Sequence, residues 1–228
     1  MCISARRRVR VPSADVAARI HRHFPPVKPR VHPLERDPPP RPDTPHPHSH
    51  KGARQTGGVS IGSGVLAGPA RSGRVRVCVA GAIGADKGYN LLLQAGRDAA
   101  RRDLALEFVL VGHTPDDEKL MRTGRIFVTG PYVAADAVGL IRAVRADIAL
   151  LPSLWPETWC FVLTELWRAG LHVLAFDIGT PAWRIRAHGG GTLAPLGLPV
   201  AKLNAMLMEK GQSCRDSNET TGATPFRE

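Results

Sequence analysis

The chain has 228 residues, 43% of them hydrophobic, which suits one soluble domain with tails or two small domains. Its formal charge of +11 is confined to the first third, where residues 1–76 hold 15 Lys and Arg against 4 Asp and Glu; the rest balances at 16 of each. No apolar run reaches the roughly 18–20 residues of a membrane span, and the four scattered cysteines form neither a Cys-x-x-Cys zinc pair nor a disulfide framework.

Taken in chain order, Val9–Val11 reads as a short strand end. A helix follows from Ser13 as N-cap, with Val16, Ala17 and Ile20 on one face and Phe24-Pro25-Pro26 as its stop. Residues 1–36 thus hold a short strand and a helix. Residues 37–73 are rich in Pro, His, Arg and Gly and lack apolar periodicity, so they cannot bury enough surface to offset ordering entropy and read as a disordered linker. His46, His48 and His50 alternate there, but no other ligand is near, and a His-rich linker is the expected reading.

From Arg74 the character changes. Strands are expected at Val75–Ala80, Leu106–Val111, Ile126–Val128, Asp147–Leu151, Val173–Phe176 and Thr192–Leu193. Helices are expected at Tyr89–Arg101, Ala134–Arg145, Cys160–Ala169, Pro181–Ala187 and Val200–Met208. Continuous apolar strands alternating with helices predict an α/β fold, a Rossmann-like doubly wound parallel sheet over residues 74–208. Past Met208 the chain turns polar, so 209–228 reads as a disordered tail. In such a sheet ligands bind beyond the carboxyl ends of the strands. Those ends fall at Gly81, Gly112, Gly130, Pro152 and Asp177.

The chemistry-bearing residues cluster at these ends. Glu157 and Glu165 are two carboxylates with seven residues between them, the first on a loop and the second in the first turns of a helix. Between them the free amides of Trp159, Cys160, Phe161 and Val162 can bind an anion, aided by the helix dipole. Carboxylates beside a phosphate site accept hydrogen bonds from sugar hydroxyls. A second element is Gly81-Ala82-Ile83-Gly84-Ala85-Asp86-Lys87-Gly88, a glycine-flanked strand-to-helix turn whose ammonium could neutralise a diphosphate without a metal. It lacks the Gly-Lys-Ser/Thr of a Walker loop. His113 and Gly130 sit in the turns after the second and third strands.

The block from Asp147-Ile148-Ala149-Leu150-Leu151-Pro152-Ser153 through Glu157 and Glu165 to Asp177 resembles the Glu-x7-Glu signature of retaining GT-B glycosyltransferases, group 1 or family 4. Gly81–Gly88 resembles that family's glycine- and lysine-bearing loop after the first strand. The resemblance implies a nucleotide diphosphate sugar as donor, with no metal or other cofactor. It implies catalytic roles for Glu157, toward the transferred sugar, and for Lys87, toward the diphosphate. It further implies that Glu165 holds the ribose, with Gly81, Gly88, Trp159, Cys160, Phe161, Gly130 and His113 lining the donor site. Four positions depart from the family pattern: Ala82 for an arginine, Cys160 for a glycine, His172 for a proline, and Trp183 near an expected acidic residue.

The resemblance also implies an N-terminal acceptor-binding domain, of which residues 1–36 resemble the last strand and helix and the start of the connector; nothing before Val9 can form the rest, so the chain is expected to be truncated and to bind donor at best. The acceptor, glycan or lipid, stays open. An inactive fragment or interaction module is the alternative. A third reading is a nucleic-acid-associated protein acting through the basic first third, where no aromatics interleave with the arginines as stacking platforms. The start Met1-Cys2-Ile3-Ser4-Ala5 lacks the apolar stretch of a signal peptide. A cytoplasmic location follows, with peripheral membrane association open.

Overall fold

The computed structural model describes residues 9–38 and 73–222. The expected linker, including the three alternating histidines, lies almost wholly outside the described residues.

The larger body is a six-stranded, all-parallel sheet in the order β5-β4-β3-β6-β7-β8. Its strands are β3 (Val75–Ala82), β4 (Leu106–His113), β5 (Ile126–Val128), β6 (Ile148–Leu151), β7 (Val173–Phe176) and β8 (Gly191–Ala194). The chain runs outward from β3 to β5, then crosses back so that β6 pairs with the other edge of β3. Strand order therefore reverses between β3 and β6, the point at which a doubly wound sheet opens a crevice.

Alternation within each strand feeds two apolar layers. Val75, Val77 and Val79 of β3, Phe108 and Leu110 of β4, and Ile148 and Leu150 of β6 face one layer. There they meet α2 (Tyr89–Arg101), α3 (Asp117–Met121) and α7 (Val200–Gly222). Cys78, Ala80, Val109, Val111, Ala149 and Leu151 face the opposite layer, against α4 (Ala137–Val144), α5 (Phe161–Ala169) and α6 (Gly179–His188). Burial on both faces explains why these strands read as unbroken apolar runs.

One expectation needs correction, and one helix was not anticipated. The expected disordered tail from residue 209 is instead helical to Gly222, as the last half of α7. Gly211 lets that helix lie on Val75 and Ile148, where a Cβ would stand 2.3 Å from a Val75 methyl. Arg215 then bonds both carboxylate oxygens of the buried Asp147 and the Arg74 carbonyl. A polar sequence was read as disorder, yet tertiary ion pairing and one glycine contact hold it. The short helix α3, capped by Asp116, was not expected at all.

The N-terminal segment has the expected short strand and helix, followed by a second short strand that was not expected. It forms β1 (Arg10–Val11), α1 (Ala14–His23) and β2 (Arg30–Val31), with Ser13 capping α1 as expected. It is fastened to the main body: the Ser13 and Thr180 hydroxyls share a buried 2.6 Å hydrogen bond. The Arg19 guanidinium also donates to the Pro156 carbonyl at 3.3 Å.

Candidate functional site

Two loops meet at the carboxyl edge between β3 and β6. Gly88 sits at φ +86° with its Cα against the Pro152 carbonyl, and the Leu154 amide donates to the Asp86 carbonyl at 2.9 Å. The residues on both sides of Lys87 are thus pinned to the loop after β6. Lys87 itself is half-buried, and among the described residues its ammonium has no hydrogen-bond or ion-pair partner. A partly desolvated cation without a counter-ion is a ready anion ligand.

The N-terminus of α5 closes on the same place from the other side. A Cβ on Gly81, which has φ +104°, would stand 3.3 Å from a Val162 methyl. The neighbouring Gly112, at φ +138°, lies so near Gly81 that a Cβ would come 2.1 Å from the Gly81 carbonyl oxygen. These glycines let backbone approach backbone at the crevice floor. Among the described residues no acceptor meets the amides of Cys160, Phe161 or Val162, as at any open helix start.

Glu157 is half-buried on the loop after β6. Its amide donates to the Trp155 carbonyl at 2.9 Å, and its own carbonyl accepts from the Thr180 amide at 3.1 Å. Gly179, at φ +68°, allows this: a Cβ there would stand 2.6 Å from the Pro156 Cα. A small cleft beside it is lined by Leu151, Ser153, Trp155, Phe176, Ile178 and Pro181.

Glu165 lies one turn into α5 with its Oε2 buried and without a hydrogen-bond partner. Burial raises its carboxyl above the ordinary 4.5, the charge of Glu35 adds to this, and Arg168 partly offsets it. Its charge also helps push the Tyr132 phenol up to about 12, where burial is the larger cause. Glu165 therefore lies within electrostatic reach of Tyr132, in the turn after β5 that also carries Gly130 at φ +89°. The Thr129 hydroxyl of that turn accepts from the Gly112 amide at 3.1 Å, tying it to the β4 end. His113 is exposed there, and its carbonyl accepts from the Ile83 amide at 3.0 Å.

Trp159, Cys160 and Phe161 have three different fates. The Trp159 side chain is buried, its indole N–H 3.4 Å from the Glu35 carboxylate. Phe161 is 54% exposed at the rim. Cys160 occupies φ +71°, a left-handed conformation that suits glycine, and its thiol is pushed up to about 12 by burial and then by the charge of Glu157.

Sequence reasoning missed Arg184, Glu35 and Asp37. Arg184 is wholly buried and donates to the Trp159 carbonyl at 3.1 Å and the Cys160 carbonyl at 2.7 Å. Its other nitrogen reaches the Thr164 hydroxyl at 2.5 Å and the Asp37 carboxylate. The guanidinium lies 4.3 Å from the Trp159 ring centre and 5.3 Å from that of Trp167. Glu35 accepts from the Thr164 hydroxyl, and Asp37 also pairs with His188 at 2.7 Å. An arginine in a short polar helix gives no sequence signal that separates it from a solvated one. Among the described residues no group of three or more His, Cys, Asp or Glu is placed to hold a metal, and no helix is long and apolar enough to cross a membrane.

A family model described as glycosyl transferases group 1 matches residues 74–208. Among curated proteins no sequence matches. The chain is similar in fold to TarM of S. aureus, with a TM-score of 0.59 at 14% identity, over 92% of this chain and 40% of TarM. It is similarly related to the pneumococcal O-GlcNAc transferase GtfA, solved with UDP and GlcNAc, with a TM-score of 0.56 at 14% identity over 92% of this chain and 38% of that one. The chain thus spans about two-fifths of the length of these structures.

Proposed function

The chain belongs to the glycosyl transferases group 1 family, and from that premise we propose that it carries the donor-binding half of a retaining GT-B glycosyltransferase of family 4 type. What supports this reading is that the turn carrying the half-buried Lys87 touches the loop after β6 through Gly88 and Pro152, that Gly81 touches Val162 at the start of α5, and that Glu157 lies on that same loop. In this reading the diphosphate of a nucleotide sugar lies between Lys87 and the amides of Cys160 and Phe161, where a cation and a helix N-terminus act on the same charge. Glu165 accepts hydrogen bonds from the ribose hydroxyls, which would give its orphaned oxygen a partner. Gly130 and His113 border the base, and Glu157 meets the sugar.

Transfer breaks the bond between the anomeric carbon and the diphosphate oxygen and forms one to an acceptor hydroxyl on the same face. The hydroxyl proton passes to the departing diphosphate. Lys87 and the amides stabilise the charge that develops on that leaving group, with no metal required of them. Holding the acceptor hydroxyl against the anomeric carbon supplies much of such a rate, and that task falls to an acceptor-binding domain.

Saturation-transfer NMR with UDP-, GDP- and ADP-sugars tests the proposal, followed by calorimetry on the best ligand. Binding should appear and weaken about tenfold or more in Glu165→Ala, as loss of a charge-assisted contact requires. Absence of binding to every nucleotide sugar would leave the chain as a group 1 domain without donor affinity.

A further inference from the structure

Arg184 is the largest fully buried side chain in the described structure, and the donor reading gives it no task. It reaches from α6 to two consecutive carbonyls, Trp159 and Cys160, at the residues that open α5. All peptide bonds among the described residues are trans, and in a trans peptide the C=O and the following N–H point in opposite directions. Pulling the carbonyls of residues 159 and 160 inward therefore turns the amides of Cys160 and Phe161 outward. Those are the amides left without acceptors at the crevice. The Cys160 backbone at φ +71°, ψ 85° belongs to no ordinary well for a cysteine, so something must hold it there.

We infer that Arg184 is a positioning residue: its guanidinium clamps the 159–160 backbone so that the Cys160 and Phe161 amides converge on the distal phosphate of a nucleoside diphosphate. This rests on the donor-site reading above. The clamp is itself braced. Asp37 of the N-terminal segment neutralises the guanidinium, the Thr164 hydroxyl fixes its second nitrogen, and the indoles of Trp159 and Trp167 flank its plane. Lysine could not replace it, because one ammonium offers neither a second nitrogen to hold Asp37 and Thr164 while the first holds both carbonyls, nor the flat face that stacks on an indole.

The test uses the full chain and whichever of UDP, GDP or ADP the wild type binds, compared with its monophosphate by calorimetry. In Arg184→Lys the diphosphate should weaken about tenfold and the monophosphate by less than about twofold, so their affinity ratio collapses. The ¹⁵N–¹H signals of Cys160 and Phe161 should shift on diphosphate addition in the wild type and lose most of that shift in the variant. If both nucleotides weaken by the same factor, or the ratio is unchanged, the clamp is wrong and the donor site stands. If the wild type binds none of the three diphosphates, the donor site itself fails and the clamp with it. Should Arg184→Lys not fold, Thr164→Val, which removes one brace at nearly constant volume, decides on the same ratio.

Discussion

The Cα of Gly88 rests against the carbonyl of Pro152, so closely that a Cβ would stand 2.1 Å from the oxygen and 2.8 Å from its carbon. Two loops separated by more than sixty residues in the chain are thereby brought into backbone contact beside Lys87.

Gly88→Ala combines a left-handed backbone at φ +86° with a clash that neither partner can relieve by rotating a side chain. The expected cost is about 2–4 kcal/mol. A thermal melt should show the loss, and nucleotide-sugar affinity should fall further than the melt alone accounts for because the Lys87 loop is pushed outward. A melting temperature equal to wild type would contradict the contact.

Cys160→Gly sets two effects against each other. Relief of the left-handed strain is worth about 1–2 kcal/mol, and loss of the buried side chain costs about 1 kcal/mol. Stability should therefore change little. The affinity for a nucleoside diphosphate should rise several-fold, since the side chain beside the open amides is gone. Weaker binding in calorimetry would mean that the thiol assists the ligand.

Glu165→Gln is expected to stabilise the protein while weakening donor binding. The raised carboxyl pKa means that the ionised form is disfavoured in the folded state, chiefly by burial and next by Glu35. That penalty is fully present above the folded pKa and vanishes below the ordinary 4.5, where the group is protonated whether folded or not. The variant should melt higher than wild type at pH 7 and equally at pH 4. A difference that persists at pH 4 would assign the effect to packing instead.

Arg215→Ala removes the ion-pair partner of Asp147, whose side chain is only 7% exposed and keeps a hydrogen bond from the Arg76 amide. Stranding a buried carboxylate costs about 3 kcal/mol, which for a chain of this size lowers the melting temperature by roughly 6–12 °C. An unchanged melt would show that the second half of α7 is dispensable to the fold.

The sheet was legible because its strands are buried on both faces, a condition that writes itself into local composition. Val75–Ala82, Leu106–His113 and Val173–Phe176 needed no tertiary information beyond their own apolar runs. The left-handed glycines at 81, 112 and 130 were also readable as strand ends, because each marks a place where the chain must turn at once. The second half of α7 was illegible, since its helix is held by one glycine contact and one ion pair with residues far away in the chain.

The order of residues alone decided which segments form the six-stranded sheet, where their carboxyl ends fall, and that Lys87 and Glu157 follow two of those ends, because local periodicity and turn chemistry are short-range properties. Only the tertiary structure decided that Glu35, Asp37 and Arg184 come together behind Trp159 and Cys160. Their partnership depends on burying a guanidinium between two indoles and a carboxylate brought from the opposite end of the chain. Such an arrangement is favourable only once the sheet and its helices have removed the water.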